Sequence, residues 1–204
     1  MSSDQILVKK PLIFATGSEI RKDIAESHGI SCEFIKSEVD EELIKLNFHG
    51  NDFDKLAIQL ATEKALTISD KNKDYFVVGV DQVCSLDEEI LNKPGNKDNA
   101  IISLQKLSGK THHQNCGMAI CKDGKIIWQS SAIAELTMKD LTLDEIQRYL
   151  DLDEPYSCSG SYKFEANGKD LFLNVIGSEY TIQGMDIDQL IEAFYRCLLY
   201  TSDA

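Results

Sequence analysis

Three cations occupy places where charge is awkward, and one carboxylate directly follows an apolar run. Along the segment from Phe53, the apolar stripe Phe53, Leu56, Ala57, Leu60, Ala61 repeats at helical spacing, and the same face continues to Lys64. A lysine there either snorkels to water from the end of the stripe or carries its ammonium to an anion. Lys64→Met is expected to leave or raise stability, since it removes a poorly placed charge, and yet to weaken substrate binding. Arg21 falls in the first turn of a helix that follows Thr16-Gly17-Ser18, where a cation opposes the helix dipole unless an anion is bound nearby. A phosphate at that N-terminus removes the conflict and takes hydrogen bonds from Ser18 and the turn amides. Lys93 precedes Pro94 in an extended loop and, taken alone, reads as a solvated surface residue. Asp81 follows the apolar run Tyr75 to Val80, which puts a carboxylate at the end of a buried strand, where ligands of open α/β sheets gather. There it holds a divalent metal or orients a water, or else it only closes the strand and caps the next turn. One carboxylate and three cations on neighbouring strand and helix elements point to a phosphate-bearing substrate with a metal ion.

The elements that must carry these residues alternate in type. Leu12 to Ala15 reads as a short strand, and Ser18 as the N-cap of a helix from Glu19 to about His28. A strand at Cys32 to Ile35 leads through the acidic segment Ser37 to Glu42 into a helix over about Phe53 to Ile68. The apolar strand from Tyr75 stops at Asp81-Gln82. A helix from about Asp98 to Leu107 closes at Ser108-Gly109, with the glycine at a C′ position. Residues 111 to 121 and 125 to 138 form two strands joined at Lys122-Asp123-Gly124, where Asp-Gly signals a hairpin. Thr142 and Glu145 make a capping box for the next helix, and a last helix spans about Asp186 to Leu199. The architecture expected is α/β with a mixed sheet.

A chain of 204 residues fits one domain, or one with a modest second lobe. It buries enough surface to need neither disulfides nor structural metal. The balance of 21 basic against 34 acidic residues leaves a charge of −13, which repels long nucleic acid and an anionic membrane alike, while a few cations gathered in one cleft still attract a small anion. With no leader-like segment and no apolar run of membrane-spanning length, the chain reads as intracellular. The six cysteines form no CxxC pair and the four histidines no HExxH pattern, so the thiols read as free in a reducing compartment and the histidines receive no chemistry.

The residues carry a resemblance. Phe14-Ala15-Thr16-Gly17-Ser18-Glu19-Ile20-Arg21 resembles the opening motif of the Maf family of nucleoside triphosphate pyrophosphatases. It is followed in order by Val39-Asp40-Glu41, Glu63-Lys64-Ala65, Gly79-Val80-Asp81-Gln82, Asn92-Lys93-Pro94 and Leu107-Ser108-Gly109-Lys110-Thr111. Cys158-Ser159-Gly160-Ser161-Tyr162-Lys163-Phe164-Glu165 and Thr181-Ile182-Gln183-Gly184-Met185 complete the pattern. None of these motifs is specific alone; eight in one order are, over about residues 11 to 198.

The resemblance implies a mixed, largely parallel central sheet flanked by helices, in a two-lobed architecture with a cleft like that of inosine triphosphatases. It implies one catalytic domain over residues 1–198 with a C-terminal tail at 199–204, in the cytoplasm, as a homodimer. The implied reaction is hydrolysis of a nucleoside triphosphate between its α and β phosphates with Mg²⁺ or Mn²⁺. Asp81 would accept the proton of the attacking water, Ser18, Arg21, Lys64 and Lys93 would hold the triphosphate, and Glu41 would join Asp81 at the metal. Gln82 and Glu165 are similar to the branch that acts on 7-methyl-GTP rather than on dTTP and UTP. Ile20, the third specificity position, departs from the tryptophan of that branch and removes a stacking surface for a cationic base. Asp186 stands where the family has proline. Two other readings stay open: a pyrophosphatase for other canonical or modified nucleotides, and a non-catalytic nucleotide-binding regulator linked to septum formation.

Overall fold

The computed structural model describes residues 11–197. The expected tail at 199–204 and the end of the last helix lie outside the described residues. Apolar runs and turn residues alternate into β1 (Leu12–Phe14), α1 (Glu19–Ser27), β2 (Glu33–Phe34), α2 (Glu41–Asn47), α3 (Phe53–Ser69), β3 (Phe76–Leu86), β4 (Glu89–Leu91), α4 (Lys97–Leu107), β5 (Thr111–Lys122), β6 (Lys125–Met138) and α5 (Leu143–Asp153). A 3-10 turn at Asn167–Leu171 then leads to β7 (Phe172–Ile176), α6 (Glu179–Ile182) and α7 (Ile187–Cys197). The strands form one mixed sheet in the order β2-β1-β3-β5-β6-β7, with β4 paired to β3. β1 runs parallel to β2 and β3, whereas β4 is antiparallel to β3 and β7 to β6. The fold is α/β, a central sheet with flanking helices.

Local signals hold where chemistry dictates them. Asp123 and Gly124 take φ of 52° and 70°, left-handed at both central positions as a type I′ hairpin turn requires. Thr142 and Glu145 make the reciprocal capping box. Gly109 follows the C-cap Ser108 of α4 at φ 70°.

By contact the chain divides into two compact units. Among the described residues the first comprises 11–82, 116–132 and 184–197, the second 83–115 and 133–183. In the first, β1 is wholly buried and α3 buries Phe53, Leu56, Ala57, Leu60, Ala61 and Ala65. Glycines set how closely α3 approaches the strands. A side chain on Gly79 of β3 would collide with the carbonyl of Ala61 and come within 2.9 Å of the Ala65 Cβ, and one on Gly117 of β5 would collide with the main chain of Ala57. The small residues Ala57, Ala61 and Ala65 recur every four positions, so the helix lies on the bare backbone of the two strands. Lys64 adjoins Ala65 on that helix, and Asp81 lies two residues beyond Gly79 on the same face of β3. The second unit has its own core, in which Cys84, Leu86, Leu104, Leu107, Leu136, Met138, Ile146, Leu150, Tyr162 and Phe172 pack together.

One expectation is corrected. β3 does not stop at Asp81-Gln82: it continues to Leu86, and Val83, Cys84, Ser85 and Leu86 are all buried. A carboxylate interrupts the apolar run without ending the strand because a lysine neutralises it. The acidic segment also yields an unforeseen helix, α2, whose N-terminal amide at Leu43 is capped by the Asp40 carboxylate at 3.0 Å. β4, β7 and α6 were too short to stand out by period. No helix among the described residues is long and apolar enough to cross a membrane.

Candidate active site

Lys64 is the centre of the first unit's polar cluster. Its ammonium stands 2.7 Å from Glu41 Oε1 and 2.7 Å from Asp81 Oδ2, with the lysine side chain 11% and Asp81 9% exposed, against 32% for Glu41. The lysine expected either to snorkel or to seek an anion does the latter, bridging carboxylates from α2 and β3. The contact to Asp81 is ionic more than directional, since Oδ2 is buried and has no hydrogen-bond partner of good geometry among the described residues. The other oxygen, Oδ1, accepts the Gln82 amide at 2.7 Å. A carboxylate offers about four lone-pair directions, so two contacts leave Asp81 with acceptor capacity.

Arg21 reaches the same strand from α1. Its Nη1 donates to the Val80 carbonyl at 3.0 Å, in the peptide that leads into Asp81, while its Nε is buried without an acceptor among the described residues. Ser18 occupies the N-cap position, yet its hydroxyl does not cap the helix. Its amide is turned to Thr16 Oγ1 at 3.1 Å. Ile20, half-buried, follows in the first turn. The aliphatic stem of Lys36 passes over Gly17, close enough that its Cγ would stand 3.2 Å from a Cβ there. Sequence reasoning gave Lys36 no role; nothing in its spacing distinguished it. Cys116 lies near Arg21, Asp186 and Asp81, and burial pushes its thiol up to about 12, so it is an inert filler of this cluster. All six cysteines are free.

Lys93 and Glu165 belong to the second unit, where both act on the half-buried thiol of Cys158, the carboxylate raising and the lysine lowering its pKa, after the larger effect of burial. Lys93 is exposed beside buried Pro94, whose carbonyl accepts from Asn99 Nδ2 at 2.9 Å. Glu165 rides an exposed turn tied at both ends. The amides of Ala166 and Gly168 donate to the Lys163 carbonyl, and Asp153 accepts from the Asn167 amide at 3.1 Å and from its side chain at 2.6 Å. The structure thus groups Ser18, Ile20, Arg21, Glu41, Lys64, Asp81 and Gln82 in one unit and Lys93 with Glu165 in the other.

Behind the Glu165 turn is a buried chain of polar groups. Gln114 Nε2 donates to the Tyr162 hydroxyl at 2.7 Å, which leaves the hydroxyl proton for His112 Nε2 at 2.9 Å. His112 is fully buried, and desolvation, helped by His113, lowers its pKa from 6.5 to about 4. Between those values the unfolded chain binds a proton that the folded chain does not. The contribution is therefore fully present above pH 6.5 and is lost as the pH falls toward 4, at up to about 1.4 kcal/mol per pH unit. Denaturant midpoints measured across that window should fall less for His112→Gln than for the parent. Equal slopes in the two proteins would show that His112 does not carry the acid sensitivity.

A hard divalent cation takes oxygen ligands and is commonly held by one or two carboxylates together with substrate phosphates. Asp81 and Glu41, drawn to one ammonium, supply such a pair. No group of three or more His, Cys, Asp or Glu side chains able to hold a metal ion occurs among the described residues.

Known proteins bear on this arrangement. A family profile described as Maf-like protein matches residues 11–197. The nucleoside triphosphate pyrophosphatase of Legionella pneumophila (strain Lens) is 38% identical over 189 residues, covering 93% of this chain and 94% of that protein. That of Nitrobacter winogradskyi is 32% identical over 184 residues, covering 89% and 91%. The 7-methyl-GTP pyrophosphatase of Brucella abortus biovar 1 (strain 9-941) is 34% identical over 189 residues, covering 91% and 95%. Among solved structures, a HAM1 protein from Coxiella burnetii superposes with a TM-score of 0.52 at 10% identity, covering 92% of this chain and 99% of that one, a likeness of fold alone.

Proposed function

The chain belongs to the Maf family and is, as its relatives are named, a nucleoside triphosphate pyrophosphatase; we propose that its preferred substrate is 7-methyl-GTP, cut between the α and β phosphates into the monophosphate and pyrophosphate. The observation that carries the chemistry is Lys64 holding Asp81 in the interior of a strand. Asp81 takes the proton of a water whose oxygen bonds to phosphorus, while the bridging P–O bond breaks and its electron pair leaves with the departing phosphate group. Lys64 and Arg21, with Ser18, hold the phosphates and offset the charge that develops on their oxygens, which is where most catalysis of phosphoryl transfer arises. Asp81 and Glu41 would hold Mg²⁺ or Mn²⁺, which supplies further positive charge to the triphosphate when bound. A regulator that only binds nucleotide has no need of a buried carboxylate held by a lysine, which favours turnover. We place the enzyme in the cytoplasm, a reducing compartment suited to six free thiols.

The base preference rests on Gln82 and Glu165. Guanine offers N1–H and N2–H₂ donors that one carboxylate can accept together, and methylation at N7 adds a positive charge that favours a carboxylate over a glutamine. Uracil and thymine present a single donor. The order expected is 7-methyl-GTP above GTP above UTP, with a spread of about ten- to a hundredfold in kcat/KM, the worth of a matched acceptor pair. Pyrophosphate release from a nucleotide panel, with and without Mn²⁺, measures it, and Glu165→Gln should compress the spread while other nucleotides are still turned over. Equal rates on 7-methyl-GTP and UTP would defeat the assignment of the base and implicate Ile20, which lacks the indole of that branch.

A further inference from the structure

Gly184 takes φ of 89°, and a Cβ placed on it would stand 2.7 Å from Arg21 Nη2, 3.2 Å from Nε and 3.3 Å from Cζ. The guanidinium thus lies directly against the main chain of residue 184. Its freedom is limited on the other edge by the bond from Nη1 to the Val80 carbonyl, one residue before Asp81. Next to Gly184, the Asp186 amide donates to the Cys116 thiol, which is itself within the field of Arg21, so the turn after α6 is fixed to the same cluster. We propose that Gly184 is a positioning residue, the seat that sets where Arg21 presents its charge; this rests on the reading of Arg21 as a phosphate-holding residue. Any side chain at 184 displaces the guanidinium from the register with Asp81 that Val80 gives it. The guanidinium ends a flexible stem while residue 184 is main chain, so a Cβ there is accommodated by the arginine moving.

The test is a double-mutant cycle on kcat/KM and on thermal stability. Gly184→Ala should lower kcat/KM at least tenfold, with the same division between KM and kcat as Arg21→Ala. In the Arg21→Ala background the same change should cost less than twofold, because the group it displaces is gone. The loss of Tm should be alike in both backgrounds, since it comes mainly from forcing a Cβ onto positive φ. Gly184→Asn, a residue type that tolerates positive φ but carries its Cβ in the same place, serves if the alanine variant does not fold. The chain has three arginines, and the buried Arg21 Nε–H, slow to exchange with water, should give an NMR resonance that moves in either Gly184 variant. Wild-type kcat/KM with an unmoved resonance overturns the proposal, as does a kinetic loss that persists undiminished without Arg21. If Arg21→Ala is itself kinetically silent, the phosphate-holding role fails, and the Arg21 resonance still decides whether Gly184 seats it.

Discussion

Asp81→Asn should reduce pyrophosphate release by about a thousandfold while leaving nucleotide binding close to that of the parent, the loss lying within the range of a missing general base. The amide keeps the shape of the carboxylate, and its oxygen can still accept the Gln82 amide that now lies 2.7 Å from Oδ1. What it cannot do is take a proton from water or attract a divalent cation equally well. Turnover measured as released pyrophosphate, alongside binding by calorimetry, separates the two effects. An asparagine variant with parental turnover would remove Asp81 from the mechanism.

Lys64→Met should abolish productive binding and also destabilise the protein, by about 3 kcal/mol, the low end of the cost of stripping one partner from a buried ion pair. In a chain of this size that lowers Tm by roughly 6–12 °C. The apolar stripe on its own argues the opposite sign, since a lysine among leucines and alanines looks like a charge better removed. The structure reverses it: two carboxylates, one of them only 9% exposed, lose their shared counter-ion when the ammonium goes. Adding Asp81→Asn to the methionine variant should therefore restore most of the lost Tm without restoring turnover. A methionine variant as stable as the parent would mean that the bridge does not stabilise the fold, and that the lysine is only a tenant at the end of its stripe.

What could be read from residues alone was whatever a side chain does to its own neighbourhood. Thr142 with Glu145 caps, Asp123-Gly124 turns, and the α3 stripe buries, each through interactions within a few positions. Lys64 and Arg21 were legible for a related reason: each was out of place locally, and the misfit named it, whereas Asp81 was read from its place at the expected end of a strand. The length of β3 was hidden because the partner that lets a carboxylate lie inside a strand comes from a helix seventeen positions earlier in the chain. Gly184 was hidden because a glycine shows no reason for itself until the atoms above its Cα are known. Gly79 left a faint signal, an isolated glycine in the apolar run Phe76 to Val80, which reads as close backbone approach once strand length is not in question.

The bare contact of α3 with Gly79 and Gly117 has a consequence at the level of the gene. A glycine codon has no missense neighbour without a Cβ, and at these two positions every such atom meets main chain rather than a yielding side-chain tip. Ordinary core positions drift by exchanging one aliphatic shape for another, with the neighbours repacking. These two cannot drift by any single coding step. The height of Lys64 above Asp81 is thereby written in the gene as two missing methyl groups.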